Sequence, residues 1–200
     1  MTQNKSFTLQ NFSKKNLGGF TLIELLVALA VFSIIMAAVA GIFISGLKAQ
    51  KLILAKRELL DQTSYLMEYT SRAMRMARKE LDAPPACLSA DGLNYEKTRA
   101  GKGIKFKKFD FETLQVICQE FFWDENNKQL YESKNGGTPI PLTSGALLVE
   151  EFNIGPDTSW GQGDDFQPRV TFSLNIKTKP EMAKIRIQTT ISQRNLDCEQ

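Results

Sequence analysis

The 200-residue chain contains no histidine, which removes the commonest general base at neutral pH and the commonest metal ligand. Its three cysteines, Cys87, Cys118 and Cys198, stand far apart and form no Cys-x-x-Cys pair, so no zinc site is expected. No nucleophile and base stand together in a recognisable pattern. Gly101-Lys102-Gly103 lacks both the length and the Ser or Thr of a phosphate loop. The sequence therefore points away from an enzyme and calls for no cofactor. Excess positive charge is nearly missing too. Lys5, Lys14 and Lys15 are the only charges before Gly19, and without them 22 of the 25 basic residues face 22 acidic ones. The formal +3 thus belongs to a short N-terminal stretch, and it gives no reason to expect a nucleic-acid partner.

What is present begins with a nearly unbroken apolar run of twenty residues, Leu25 to Ile44. That is about the length needed to cross ~30 Å of hydrocarbon at ~1.5 Å per residue. Lys14 and Lys15 precede it, and Lys48 and Lys51 follow in a region that also holds Glu58 and Asp61. The bias is modest; a short basic leader stays cytoplasmic and puts the C-terminal bulk outside. At the mouth of the run sits a lone carboxylate, Glu24, with no cation in the segment. An ionised carboxylate well inside a bilayer costs about 2.5–3.5 kcal/mol or more, so something has to neutralise it. A secretory signal peptide cut after Ala38-Val39-Ala40, or a plain signal anchor, would account for the apolar run. Neither accounts for Glu24.

The segment Gly18-Gly19-Phe20-Thr21-Leu22-Ile23-Glu24-Leu25-Leu26-Val27 resembles the prepilin-type cleavage and methylation motif of type IV pilins and type II secretion pseudopilins. The resemblance implies cleavage after Gly19 by a membrane peptidase on the cytoplasmic side, with N-methylation of the new terminus, Phe20. It implies that Glu24 pairs with the N-terminal amine of a neighbouring subunit in a helical fibre. It also implies partners: other pilin subunits, the processing peptidase and methyltransferase, a platform membrane protein and an assembly ATPase. One departure is visible. Many major pilins carry a proline shortly before the position of Ile42, whereas Ser33 and Gly41 are the only helix-softening residues in this run. The tail Gln188–Asn195, with Gln167-Pro168-Arg169-Val170, resembles the last strands of minor pilins and J-like pseudopilins.

The helix is expected to continue beyond the apolar run. Leu52, Ala55, Leu59, Leu66, Ala73 and Ala77 step by threes and fours, with Thr63 and Thr70 in the gaps. No glycine or proline occurs between Leu47 and Asp82, and Ala83-Pro84-Pro85 closes the segment. One helix of about sixty residues ending near Asp82 follows from that spacing. Arg72, Arg75, Arg78 and Lys79 would lie in its last turns. There they suit the helix dipole; a polyanion-binding patch is the alternative reading. After residue 85 the period becomes two. Strands are expected at Thr113–Trp123, Gln129–Ser133 and Leu147–Ile154, with residues 86–103 as loop. The clearest alternation is Val170, Phe172, Leu174 and Ile176, answered by Ile185, Ile187, Thr189 and Ile191. The expected fold is α+β and pilin-like: a long N-terminal helix packed on one antiparallel sheet with one wet face. Its parts are a leader over 1–19, a membrane and polymerisation helix over 20–47, an amphipathic half over 48–82, and a β-sheet domain over 83–200.

Three further groups of residues could form sites. Outside the cytoplasm disulfides can form. Cys87, just after the helix, and Cys118, in a neighbouring strand, make the favoured pair, with Cys118–Cys198 as the rival. Asp157, Asp164 and Asp165 lie in the polar stretch 155–167, where some major pseudopilins bind calcium. Their spacing fits no loop template, so a solvated acidic turn is the simpler reading. Lys102, Lys105, Lys107 and Lys108 with Phe106, Phe109 and Phe111 could grip single-stranded nucleic acid; a solvated strand face over a core explains the same pattern. The function read from the sequence is a structural minor subunit of a pilus or pseudopilus, anchored in the cytoplasmic membrane before assembly. The contrasting reading is a monomeric membrane-anchored binding domain, such as an adhesin or DNA-uptake receptor.

Overall fold

A computed structural model describes residues 18–82, 84–111, 113–161, 167–181 and 183–194. Its contacts divide the chain into two units, one up to Lys48 and one from Ala49 onward. Helix α1, Leu22–Arg75, is 54 residues long and runs through that boundary. In the first unit its side chains are exposed all round, apolar ones included, from Leu22 to Leu47. It holds a span long and apolar enough to cross a membrane. That exposure is what an apolar helix shows when lipid or other helices, rather than its own chain, are its solvent.

In the second unit the helix buries one stripe: Leu59, Thr63, Leu66, Thr70, Ala73 and Met74. The two threonines sit within the stripe. Thr70 turns its hydroxyl back onto the Leu66 carbonyl at 2.8 Å, which satisfies it without leaving the apolar face. Leu52 remains exposed at 38%, so the stripe starts later than its spacing suggested. The helix also ends seven residues short of the expected Asp82. Ala77–Arg78 is a short strand, β1, paired with Lys107–Lys108. Sheet hydrogen bonds replace helical ones there, and Glu80 turns into the interior.

The strands form two antiparallel sheets rather than the single one expected. The first contains β1, β2 (Glu96–Thr98), β3 (Gly103–Asp110), β4 (Gln115–Asp124), β5 (Gln129–Lys134) and β6 (Ile140–Pro141). Its order is β1-β3-β4-β5-β6, and β2 shares the β3 edge with β1. The second contains β7 (Leu147–Gly155), β8 (Arg169–Thr178) and β9 (Lys184–Ser192), in that order. Burial alternates along the whole of β8, where Val170, Phe172, Leu174 and Ile176 face the core. Trp123 donates its Nε1–H to the Val149 carbonyl at 3.0 Å, and the Val149 N–H reaches Lys128 at 2.7 Å, tying the sheets together. One core joins the helix stripe to Phe106 and Phe121 of the first sheet, Phe172 of the second, and Tyr95 and Trp160 from the segments between strands. At the start of β3, Gly103 has no room for a side chain: a Cβ there would stand 2.4 Å from the Thr98 hydroxyl.

Leu66 is 2% exposed, whereas Ile53, on the same helix, is 51% exposed. Leu66→Ala is expected to destabilise the second unit by about 2–5 kcal/mol, and Ile53→Ala by less than about 0.5 kcal/mol. Urea unfolding of the detergent-solubilised full chain, followed by the fluorescence of Trp123 and Trp160, measures both.

Candidate functional site

The start of α1 is organised by a four-residue pattern. Thr21 precedes the first helical residue, and its Oγ1 accepts the Glu24 N–H at 3.3 Å. In return Glu24 Oε2 accepts the Thr21 N–H and the Thr21 hydroxyl, each at 3.1 Å. This reciprocal capping box satisfies two of the donors that a helix N-terminus leaves open. It also keeps a negative charge in the first turn, where the helix dipole favours it. Sequence reasoning gave Glu24 no partner in its own chain; Thr-x-x-Glu before an apolar run was the signal for Thr21. Ahead of the cap, Gly18, Gly19 and Phe20 are exposed, Phe20 by 85%. A Cβ added at Gly18 or Gly19 would meet nothing within 4 Å, and neither has a left-handed φ. The fold thus gives no steric reason for two glycines here.

In the second unit, Cys87 and Cys118 are joined by a disulfide, with Cα atoms 5.4 Å apart. Cys198 lies outside the described residues. Beside the disulfide is an ion cluster that sequence reasoning missed. The Glu80 side chain is fully buried. Its Oε2 accepts the N–H groups of Cys87 at 2.8 Å and Leu88 at 3.2 Å. Oε1 accepts Lys107 Nζ at 2.8 Å and the Asp82 N–H at 3.3 Å. Lys107 also bonds the Asp82 carboxylate. Burial opposes ionisation of Glu80, but Lys107 and the three N–H groups outweigh it and hold its pKa down at about 2. Burial likewise works against the Lys107 ammonium, yet Asp82 and Glu80 raise it above an ordinary lysine.

The other sequence candidates separate. Asp157 pairs with Lys97 at 3.0 Å, while Asp164 and Asp165 lie outside the described residues. Among the described residues no group of three or more His, Cys, Asp or Glu could hold a metal. The Lys–Phe set forms no common grip: Phe106 is fully buried in the core and Lys107 is taken by Glu80. Phe111, 68% exposed, remains outside.

A long helix with an apolar head capped by Thr-x-x-Glu, followed by antiparallel sheets, is the α+β layout of a pilin-like subunit. Residues 14–40 match the family described as the prokaryotic N-terminal methylation motif. The match takes in the same segment, Gly18 to Val27, whose residues resemble the type IV pilin and pseudopilin motif. No curated protein and no solved structure matches the chain.

The ion cluster makes stability depend on pH. The Glu80 carboxyl has a pKa of about 2 in the folded chain and the ordinary 4.5 when unfolded. Its contribution is therefore complete above about 4.5 and is lost as pH falls towards about 2. Denaturation across that window is expected to show a steeper loss for the wild type than for Glu80→Gln. At neutral pH Lys107→Met, which strands the buried carboxylate, should cost about 3–5 kcal/mol, and adding Glu80→Gln, which removes the charge but keeps an oxygen for the backbone N–H groups, should restore part of it.

Proposed function

We propose that the chain is a minor subunit of a type IV pilus or type II secretion pseudopilus. It is cut between Gly19 and Phe20, N-methylated on Phe20, held by one helix in the cytoplasmic membrane, and then assembled into a helical fibre. Its N-terminus faces the cytoplasm and its sheets lie outside. The observation that carries this reading is the pair of exposed glycines just ahead of a carboxylate that caps the apolar head of a long helix. Glycines that the fold does not need suit an outside reader, here the processing peptidase, which must lay an extended backbone in its site. Cleavage creates an ammonium at Phe20, one residue before the cap.

Glu24 then has two partners of different worth. Thr21 supplies neutral donors, which orient the carboxylate but leave its charge. The Phe20 ammonium of a neighbouring subunit supplies the opposite charge, and each of the two is costly in lipid without the other. Assembly in register removes both costs together. The remaining machinery follows from the same reading: a peptidase and methyltransferase, a platform membrane protein, an assembly ATPase and other pilin subunits.

Mass spectrometry of the mature protein is expected to find N-methyl-Phe20 as its first residue. A first residue at Gly41 would instead assign the segment to a signal peptidase. Glu24→Ala and Glu24→Val are expected to leave the membrane pool intact and to lower incorporation into fibres about tenfold or more, since each 1.4 kcal/mol lost per interface is a factor of ten. Unchanged incorporation would leave the monomeric membrane-anchored binding domain as the better description.

A further inference from the structure

The C-terminal end of α1 meets the end of β9. The Arg194 N–H donates to the Arg75 carbonyl at 2.9 Å, so two arginines from distant parts of the chain are held side by side. They line a groove with Arg72, Phe111, Ser192 and Gln193, which Met76, Gln167 and Thr190 complete. Next to it Arg78 lies over the Phe109 ring, 5.4 Å from its centroid, and Phe109 meets Phe111 edge-on at 5.2 Å. Arg72 is paired with Glu68. Among the described residues, Arg75, Arg78 and Arg194 make no salt bridge. The groove floor carries amides and hydroxyls: Gln167 Nε2 donates to the Gln193 carbonyl at 2.7 Å. Gln193, 2% exposed, keeps an Oε1 without a partner.

We infer that this groove binds single-stranded nucleic acid, with Arg75, Arg78 and Arg194 on phosphates and Phe111 stacking on a base. Unpaired guanidinium forks match phosphate oxygens in charge and shape. An exposed ring beside a cationic groove is the combination that holds unpaired bases, whose flat faces a duplex hides. The Ser192 hydroxyl and the second N–H of the exposed Gln167 amide add donors for backbone or sugar oxygens. Helix-dipole compensation explains why arginines stand at the end of α1. It does not explain why Arg194, from β9, joins them, or why Phe111 is left in water. The inference does not rest on polymerisation, because the whole groove belongs to one chain.

The full-length subunit in zwitterionic phosphatidylcholine nanodiscs, titrated with a labelled oligothymidylate, tests it without fibre assembly. Binding is expected to weaken with salt. Arg75→Gln and Arg194→Gln should each lower the slope of log K against log salt by about 0.7. Phe111→Ala should weaken single-strand binding about tenfold while leaving the salt slope unchanged. Arg186→Gln, exposed on β9 away from the groove, should change neither. All four positions are exposed, and thermal unfolding checks that each variant is folded. Wild-type affinity and salt slope in Arg75→Gln and Arg194→Gln would overturn the inference. So would a preference for duplex that Phe111→Ala leaves unchanged. Binding to phosphatidylglycerol vesicles with none to oligothymidylate would overturn it too, and would give the arginines to a lipid surface.

Discussion

The Glu80 carboxylate fixes what surrounds the end of α1. Four donors converge on it: Lys107 from β3 and the backbone N–H groups of Asp82, Cys87 and Leu88. Its own backbone is held as well, donating to Leu93 at 2.9 Å and accepting from Gly92 at 2.7 Å. Gly92 has φ +80°, a conformation that suits glycine at such a turn. The Cys87–Cys118 disulfide clamps the same segment to β4, directly opposite Lys107 in the β3–β4 register. A buried carboxylate without such partners would be strongly destabilising. With them, it anchors the segment that follows the helix end at Arg75, where Ala77–Arg78 pairs with β3. The placing of Arg75 and Arg78 beside Phe109 and Phe111 is a consequence.

Glu24 poses the same physical problem with a different answer. Glu80 is neutralised inside its own chain, and its four donors are fixed by β3 and the loop that follows β1. Among the described residues Glu24 has the Thr21 cap alone, which orients the charge without cancelling it. One carboxylate therefore specifies a fold, and the other leaves an unmet demand. In water that demand would be small, since solvent would meet it. At the head of an apolar helix it is large, and the shortfall is what makes assembly favourable under the proposed function.

How much of this was legible depended on the range of the interaction involved. The alternation along β8 could be read because each residue's burial follows from its neighbours two positions away. The Leu59–Ala73 stripe could be read for the same reason at helical spacing. The helix end could not. Propensity favours continuing through Ala77-Arg78-Lys79, and only the pairing of Ala77 with Lys108, distant in sequence, overrides it. Strand β2, Glu96-Lys97-Thr98, has no apolar alternation and owes its extended form to the free edge of β3. The split into two sheets was hidden likewise, because β6 caps β5 with just two paired residues. Lys107 misled in the other direction: a lysine alternating with apolar residues reads as a wet face, and only Glu80 shows why it is buried.

The processed chain would carry 22 basic and 22 acidic residues, so it has no net charge with which to attract a polyanion from afar. Recognition in such a subunit has to come from local clustering. Charges separated by more than about 8–10 Å are largely screened at physiological salt, which makes adjacent unpaired arginines count for more than any overall balance. Net neutrality and a local cationic groove are then compatible demands. The first lets like subunits approach one another without mutual repulsion. The second keeps a charged surface where a ligand can reach it, outside the apolar helix that the fibre would bury.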